Sequence, residues 1–156
     1  MPKKKQNKTK TFKKAVEDTP DIANCYQIGL QGLGIHSRKI ELLEGKHCSG
    51  SVDIDSCTRA KYPQSNRWDY AFCFREEVFF VEVHTANTRE ISTVVKKLKW
   101  LKDWLRDEAP ELDKLKAKSQ PFVWIQSKDY HIPKMAPQNL ALVQVGIKPI
   151  SKLSLK

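Results

Sequence analysis

The stretch over residues 66–84, NRWDYAFCFREEVFFVEVH, most constrains what this chain can fold into. Its two apolar runs flank the charged triplet Arg75–Glu77, a pattern typical of two antiparallel strands joined by a tight turn. We therefore predict strands over residues 68–74 and 78–84. The apolar run from Val78 to Val81 indicates that the second strand is buried on both faces.

Two acidic residues and a histidine lie at one end of this predicted hairpin. Asp69 stands near the start of the first strand, and Glu82 and His84 stand near the end of the second. Side chains alternate between the faces of a strand, so Glu82 and His84 point the same way, and the antiparallel register brings Asp69 near Glu82. A buried carboxylate is costly unless it is paired or bound to a metal. The pattern predicts a site for a divalent cation such as Mg²⁺ at the end of the sheet.

The clearest helix of the sequence spans residues 88–105, directly after the hairpin. Asn87 with Glu90 three residues later resembles a capping box, and Thr88 is the alternative cap. An apolar stripe at helical spacing predicts the face that packs on the sheet: Ile91, Val94, Val95, Leu98, Leu101 and Leu105. Lys97, Trp100 and Trp104 share one flank. In the interpretation we favour, the tryptophans complete the core or cover a sheet edge; in the alternative, this flank binds nucleic acid or a partner protein.

The segments before the hairpin show weaker patterns. Residues 21–33 carry apolar side chains on one helical face and end in glycines, which predicts a helix with a glycine cap. The alternating SVDIDS over residues 51–56 predicts a half-exposed strand. Its Asp53 and Asp55 face solvent in this interpretation and are reserve metal ligands.

The segments after the long helix are also short. A second helix is predicted to begin at Pro110, which suits a first helical turn. Apolar runs predict buried strands over residues 122–127 and 140–145. Between them, KDYH over residues 128–131 forms a polar loop in the interpretation we favour, and a further part of the site in the alternative.

The net charge of +10 on 156 residues indicates polyanionic partners, nucleic acid above all. Seven lysines crowd into the first fourteen residues, with Lys3, Lys4 and Lys5 at their start. We predict a basic, disordered tail over residues 1–18 and a single domain over residues 19–156. The tail either contacts nucleic acid or only keeps the protein soluble.

Four cysteines, Cys25, Cys48, Cys57 and Cys73, form no CxxC pair, which disfavours a zinc knuckle. A ligand set of His47, Cys48 and Cys57 is the alternative that the sequence leaves open. No segment approaches about 20 consecutive apolar residues, and the N-terminus lacks the apolar core of a signal peptide. We therefore expect a cytoplasmic protein with reduced thiols and no membrane partner.

The predicted order of a helix, three strands, a long helix and another strand is α/β with a mixed sheet. With the residues of the hairpin, this order resembles the PD-(D/E)XK phosphodiesterase superfamily. In that family an Asp begins one strand, and an acidic residue, a spacer and a Lys end the next. Here Trp68–Asp69 stands at the place of the family's Pro-Asp, and Glu82-Val83-His84 at the place of its Glu-x-Lys. The resemblance covers roughly residues 20–127. It implies a restriction-endonuclease-like fold, a mixed central sheet flanked by helices with an α-β-β-β-α-β core.

The resemblance also implies a function, that of a metal-dependent nuclease acting on DNA or RNA with Mg²⁺ or Mn²⁺. Asp69, Glu82 and the backbone carbonyl of Val83 are then expected to hold the cation, which activates a bound water. His84 departs from the family's lysine. It is a general base, or a metal ligand that favours Mn²⁺, or the sign of an inactive site.

Basic residues around the predicted cleft are expected to hold the phosphate backbone without reading its sequence. The residues assigned to nucleic-acid binding are Lys3, Lys4, Lys5, Arg67, Arg89, Lys96 and Lys97. Lys96 or Lys97 is also the alternative source of the charge that the missing lysine would supply.

We favour DNA over RNA as the partner and leave open a protein partner or a homodimer. Two other classes of function remain as alternatives. One is a catalytically inactive nuclease fold that binds nucleic acid or a partner protein. The other is a small structural protein whose basic tail docks on an RNA assembly.

Overall fold

The structure, a computed structural model, describes residues 10–128, 132 and 137–156. Lys3, Lys4 and Lys5 of the predicted tail lie outside the described residues. So do residues 129–131, which were the alternative contribution to the site.

A six-stranded mixed sheet organises the fold. The strands of the described residues are β1 (Gln27–Ile28), β2 (Ile40–Leu42), β3 (Gly50–Asp53), β4 (Tyr70–Phe74), β5 (Glu77–His84), β6 (Phe122–Gln126), β7 (Pro149–Ile150) and β8 (Leu153–Leu155). All except β2 and β8, which pair with each other in parallel, form one sheet in the order β1-β3-β4-β5-β6-β7. Neighbours from β1 to β5 are antiparallel, whereas β6 and β7 continue in parallel to β5. The predicted α/β class with a mixed central sheet is confirmed.

The α-helices of the described residues are α1 (Phe12–Glu17), α2 (Ile54–Thr58), α3 (Ile91–Asp107), α4 (Pro110–Asp113) and α5 (Gln138–Val145). Short 3₁₀ segments lie over Pro20–Ile22, Gln31–Lys39, Gly45–His47 and Thr88–Glu90. The last of these leads into α3, and the Asn87 side chain caps it by accepting a hydrogen bond from the Glu90 amide at 3.2 Å. None of the described helices is long and apolar enough to cross a membrane.

The central hairpin forms as predicted. In β4 and β5, Tyr70 lies opposite Val81 and Phe74 lies opposite Glu77, which brings Asp69 to the level of Glu82 at the open end. The two turn residues, Arg75 and Glu76, have positive φ values of 49° and 67°. Positive φ at both central positions is the property of the two-residue turns whose twist matches that of antiparallel strands.

Each face of the sheet packs against its own apolar cluster. Along β5, Val78 and Phe80 belong to the cluster that contains the buried face of α3, whereas Val81 belongs to the cluster on the opposite face. Because side chains alternate along a strand, Glu82 and His84 lie on the α3 side with Val78 and Phe80. The helix that follows the hairpin therefore covers the predicted site.

The tryptophans of α3 complete the core, in agreement with the interpretation favoured from the sequence. Trp104 is 3% exposed, and its indole N–H donates to Asp21 Oδ2 at 3.0 Å. Trp100 stacks on Trp104 with ring centroids 5.7 Å apart and lies partly buried against the same cluster.

Three predicted elements are wrong. Residues 21–33 contain a 3₁₀ turn, β1 and the start of a second 3₁₀ segment, and Gly29 breaks a helical path with a φ of 54°. The strand predicted over residues 51–56 ends at Asp53, because its carboxylate accepts a hydrogen bond from the Ser56 amide at 2.9 Å and caps α2. The strand predicted over residues 140–145 is helix α5, since a short apolar run suits a helix or a strand equally.

The disordered tail predicted over residues 1–18 is also too long at its C-terminal end, because a helix begins at Phe12. Thr11 caps α1, and this helix buries Phe12, Ala15 and Val16 against the core. Apolar side chains at these positions face inward at helical spacing, while the basic residues between them stay outside.

Cys25 and Cys57 form a disulfide bond, whereas Cys48 and Cys73 are free and buried. The prediction of reduced thiols is therefore wrong for this pair. The alternative metal site at His47, Cys48 and Cys57 is excluded as well, because the Cys57 sulfur is already bonded. The disulfide joins the segment before β1 to α2.

Reduction of this disulfide should lower the free energy of unfolding. The two cysteines are 32 residues apart, and releasing a loop of that size raises the entropy of the unfolded chain, which destabilises the folded state by about 3–4 kcal/mol. Urea denaturation with and without a reductant measures the effect. A Cys25→Ala/Cys57→Ala variant should be insensitive to the reductant, and a parent protein equally insensitive would show that the pair is not oxidised.

Candidate active site at the open end of the hairpin

Asp69 and Glu82 are held by each other's backbone. The Glu82 carboxylate accepts a hydrogen bond from the Asp69 amide at 3.1 Å through Oε1, and the Asp69 carboxylate accepts one from the Val83 amide at 3.0 Å through Oδ2. Glu82 is fully buried, and the Asp69 side chain is 18% exposed. One oxygen of each carboxylate is thus fixed, and the other is directed to a shared partner.

That partner is Lys97 of helix α3. Its Nζ lies 2.5 Å from Glu82 Oε2 and 3.6 Å from Asp69 Oδ1. Lys97 follows Val94 by three residues and precedes Leu101 by four, so it belongs to the stripe of α3 that faces the sheet. A lysine in such a stripe requires a counter-charge, and the two carboxylates of the hairpin provide it.

His84 also lies between carboxylates. Its Nε2 is 2.7 Å from Glu90 Oε2, and its Nδ1 is 3.4 Å from Glu82 Oε2. The hydrogen bond to Glu82 raises the pKa of His84, with Glu90 adding to the shift and burial opposing it. His84 Nε2 is hydrogen-bonded to Glu90, and Nδ1 lies within ion-pair distance of Glu82. Contacts at both ring nitrogens leave the imidazole poorly placed to accept a proton from water or to bind a metal.

The surroundings also change the proton affinity of the other two groups. Burial, followed by repulsion from Glu82, raises the pKa of Asp69 to about 7, although Lys97 and the Val83 amide oppose the shift. Burial alone would lower the pKa of Lys97, but the attraction of Glu82 and Asp69 outweighs it, and the pKa of Lys97 is raised. At neutral pH Lys97 is an ammonium and Asp69 is close to its titration point.

The oxygen donors of the site suit Mg²⁺ or Mn²⁺. The Val83 amide faces Asp69, and because the N–H and C=O of one strand residue point to the same side, the Val83 carbonyl faces that edge too. Carboxylate and carbonyl oxygens are ligands of both metals, and Mg²⁺ usually takes only one or two carboxylates and keeps several waters. Within the described residues, no group of three or more His, Cys, Asp or Glu side chains could hold a metal. The donors fit a cation if Lys97 leaves the position between them.

The aspartates held in reserve as ligands do not join this site. Asp53 caps α2, and Asp55 forms ion pairs with Arg59 and Arg67, both at 2.9 Å. The Arg67 side chain is 12% exposed and also donates to the Tyr62 carbonyl at 2.6 Å. Arg67 is therefore engaged within the protein and stabilises its own loop.

Other basic residues surround the open end of the hairpin. Arg89 and Lys96 are exposed near the start of α3, as their predicted contact with phosphate requires. Lys39 reaches the end of β6, where its Nζ donates to the Gln126 carbonyl at 3.2 Å, and Lys128 is exposed two residues later. The sequence did not single out Lys39, because its nearness to β6 depends on contacts between distant segments.

Glu90 is the other residue of the site that the sequence did not assign. It was expected only as part of the helix cap, yet its carboxylate binds His84. Its position four residues before Val94 places it on the inward stripe of the helix, and this spacing was the available signal.

Comparison with protein-family models, with curated proteins and with solved structures finds no match to this chain. Similarity therefore assigns no family, and the functional argument depends on the geometry of the site.

Replacing Lys97 by Met should lower the free energy of unfolding by about 3–5 kcal/mol, because Glu82 is left buried without its cation. A Lys97→Met/Glu82→Gln variant should recover part of this loss, since it buries no unpaired charge. Urea denaturation measures both variants. Lys96→Met, an exposed change on the same helix, is the control, and equal effects of Lys96→Met and Lys97→Met would contradict the assigned ion pair.

Asp69→Asn should flatten the dependence of stability on pH. The folded-state pKa of about 7 exceeds the ordinary value of 3.8, so the folded protein binds this proton more tightly than the unfolded chain. The resulting stability is fully present below the unfolded pKa and is lost as pH rises through the folded one. Urea unfolding between about pH 4 and pH 8 should show a decline in the parent that is smaller in the variant. Parallel curves for the two proteins would rule out the raised pKa.

Proposed function

We propose that this protein is a metal-dependent nuclease of the PD-(D/E)XK type, in which Lys97 of helix α3 supplies the ammonium that the strand motif lacks. The observation that carries the proposal is the contact of Lys97 Nζ with Glu82 Oε2 at 2.5 Å and with Asp69 Oδ1 at 3.6 Å. Two carboxylates beside a lysine are the combination that the family's motif contains. Here the lysine comes from the helix instead of the strand.

The order of the elements supports the same proposal. Strands β3, β4 and β5 form an antiparallel meander, α3 follows, and β6 returns parallel to β5. This sequence of elements corresponds to the strand-and-helix part of the α-β-β-β-α-β core that a restriction-endonuclease-like fold implies. The segment before β3 departs from that core, because Gln31–Lys39 consists of short 3₁₀ turns interrupted at Gly34.

The residues of the site have separate roles in this proposal. Asp69, Glu82 and the Val83 carbonyl would hold Mg²⁺ or Mn²⁺, which supplies charge that stabilises the phosphate in the transition state and favours deprotonation of the attacking water. Lys97 binds a phosphate oxygen and orients the water. His84 is a positioning residue, because its Nδ1 lies 3.4 Å from Glu82 Oε2 and helps to hold a ligand carboxylate.

The substrate is a nucleic acid whose phosphates contact exposed cations around the site. Arg89, Lys96 and Lys128 are exposed on the elements next to the site, and Lys39 contacts the end of β6. Such contacts position a backbone without reading its sequence. DNA is the favoured substrate, and a protein partner or a homodimer stays a prediction.

The location of the protein stays a prediction with two alternatives. The sequence predicts the cytoplasm, whereas the Cys25–Cys57 bond favours an oxidising compartment. Cell fractionation with an antibody to the protein tests the location directly.

A second candidate function is a nuclease fold that binds nucleic acid without cutting it. The observation that favours it is the ion pair between Lys97 and Glu82, because the ammonium already compensates the charge of the buried carboxylate. Such a module would bind nucleic acid equally well in EDTA, with an affinity that falls steeply as salt rises.

A cleavage assay on single- and double-stranded DNA and RNA, with Mg²⁺, Mn²⁺ or EDTA, tests the nuclease. We expect cleavage that requires the cation. Asp69→Ala and Glu82→Gln should each reduce it on the order of a hundredfold or more while binding persists, because each removes charge that stabilises the transition state.

Glu76→Ala is the matched control, since Glu76 is an exposed carboxylate at the other end of the same hairpin. It should cleave like the parent. Circular dichroism checks that each variant is folded. Cleavage by Glu82→Gln at the parent's rate with Mn²⁺ would disprove the assigned site, and binding without any cleavage would favour the second candidate.

A further inference from the structure

We propose that Lys97 is a built-in competitor of the divalent cation. Without the cation its ammonium closes the site, and cation binding displaces it from Glu82 so that it becomes available to a substrate phosphate. This inference rests on the nuclease function proposed above. It adds that metal binding and the release of Lys97 are one event.

The hydrogen bonds of the carboxylates leave little choice of position for a cation. Glu82 Oε1 accepts from the Asp69 amide, and Asp69 Oδ2 accepts from the Val83 amide. The oxygens left to hold a cation jointly are Glu82 Oε2 and Asp69 Oδ1. These are the two atoms that Lys97 Nζ contacts, at 2.5 Å and 3.6 Å.

A metal ion and the ammonium cannot share this position. Mg²⁺ binds its oxygen ligands at about 2.1 Å, which would place it where the Lys97 hydrogen bond to Glu82 now lies. Two positive charges at such a distance in a buried site also repel each other strongly. Binding of the metal therefore requires Lys97 to move.

The lysine side chain can move without a change in the helix. Four methylene groups separate its ammonium from the backbone, and the side chain is already 16% exposed at the rim of the site. Glu82 keeps its other contacts when Lys97 leaves, because the Asp69 amide still donates to Oε1 and His84 Nδ1 still lies 3.4 Å from Oε2. The released ammonium would then be available to a substrate phosphate.

Lysine labelling on the unmodified protein tests the proposal directly. The protein is treated with formaldehyde and a mild hydride donor, with and without Mg²⁺, and the methylation of each lysine is measured by mass spectrometry. Lys97 should be protected without the metal, and its labelling should rise several-fold with it. Lys96 is the internal control, since it is exposed in the same helix and should be labelled equally in both conditions.

Calorimetry with Mg²⁺ and Mn²⁺ on the same protein distinguishes the competition by Lys97 from the existence of the metal site itself. Metal binding with unchanged labelling of Lys97 would overturn the competition and leave the metal site standing. No binding of either metal would overturn the competition together with the cofactor of the proposed nuclease. Metal binding accompanied by exposure of Lys97 supports both.

A neutral variant gives an independent measurement. Lys97→Gln keeps a hydrogen-bond donor for Glu82 but removes the competing charge, so it should bind Mn²⁺ about tenfold more tightly than the parent. Lys99→Gln, an exposed change on the same helix, should bind Mn²⁺ like the parent. Equal affinities of the parent and Lys97→Gln would contradict the competition, and the labelling experiment decides the matter if the variant does not fold.

Discussion

The buried charge of Glu82 is the constraint on which the rest of the structure depends. A carboxylate with no exposed surface is tolerated only when its oxygens are fully paired. Glu82 obtains its partners from three separate elements: the amide before β4, the ammonium on α3 and the imidazole at the end of β5. The need to compensate one charge thus places the start of one strand, the end of the next and the following helix together.

This constraint also fixes the register of the hairpin and the rotation of α3. A slip of one residue between β4 and β5 would turn Asp69 or Glu82 to the opposite face of the sheet. A rotation of α3 by one residue would withdraw Lys97 from both carboxylates and bring Lys96 towards the core. In the competition that we propose, the ion pair that stabilises the fold is also the contact that a metal would break, so stability without metal and affinity for metal would oppose each other at this site.

The long patterns of the sequence predicted the fold, and its short ones did not. The hairpin and α3 extend over enough residues for periods of two and 3.6 to be distinguished, and both appear with the expected faces. Residues 140–145 were predicted as a strand but form a helix, and the error arose because a run of six residues with five apolar side chains satisfies either period. The strand predicted over residues 51–56 ends at Asp53, whose side chain caps α2. The alternating pattern of residues gave no sign of this local hydrogen bond. The Cys25–Cys57 bond depends on the approach of distant segments, which no local pattern contains.

Within the site, alternation and register were sufficient to bring Asp69, Glu82 and His84 together, but they did not identify the cation that pairs with them. The sequence contains two adjacent lysines on α3, Lys96 and Lys97. Only the spacing to Val94 and Leu101 indicates that Lys97 faces the sheet and that Lys96 faces solvent. A lysine on the buried face of a helix is unfavourable alone, and so is an acidic residue on the buried face of the preceding strand. Because the helix packs on that strand, the lysine predicts a buried acidic partner, and the acidic residue predicts a buried lysine. The same reasoning applies to any strand and helix pair in which one buried position of each carries opposite charge.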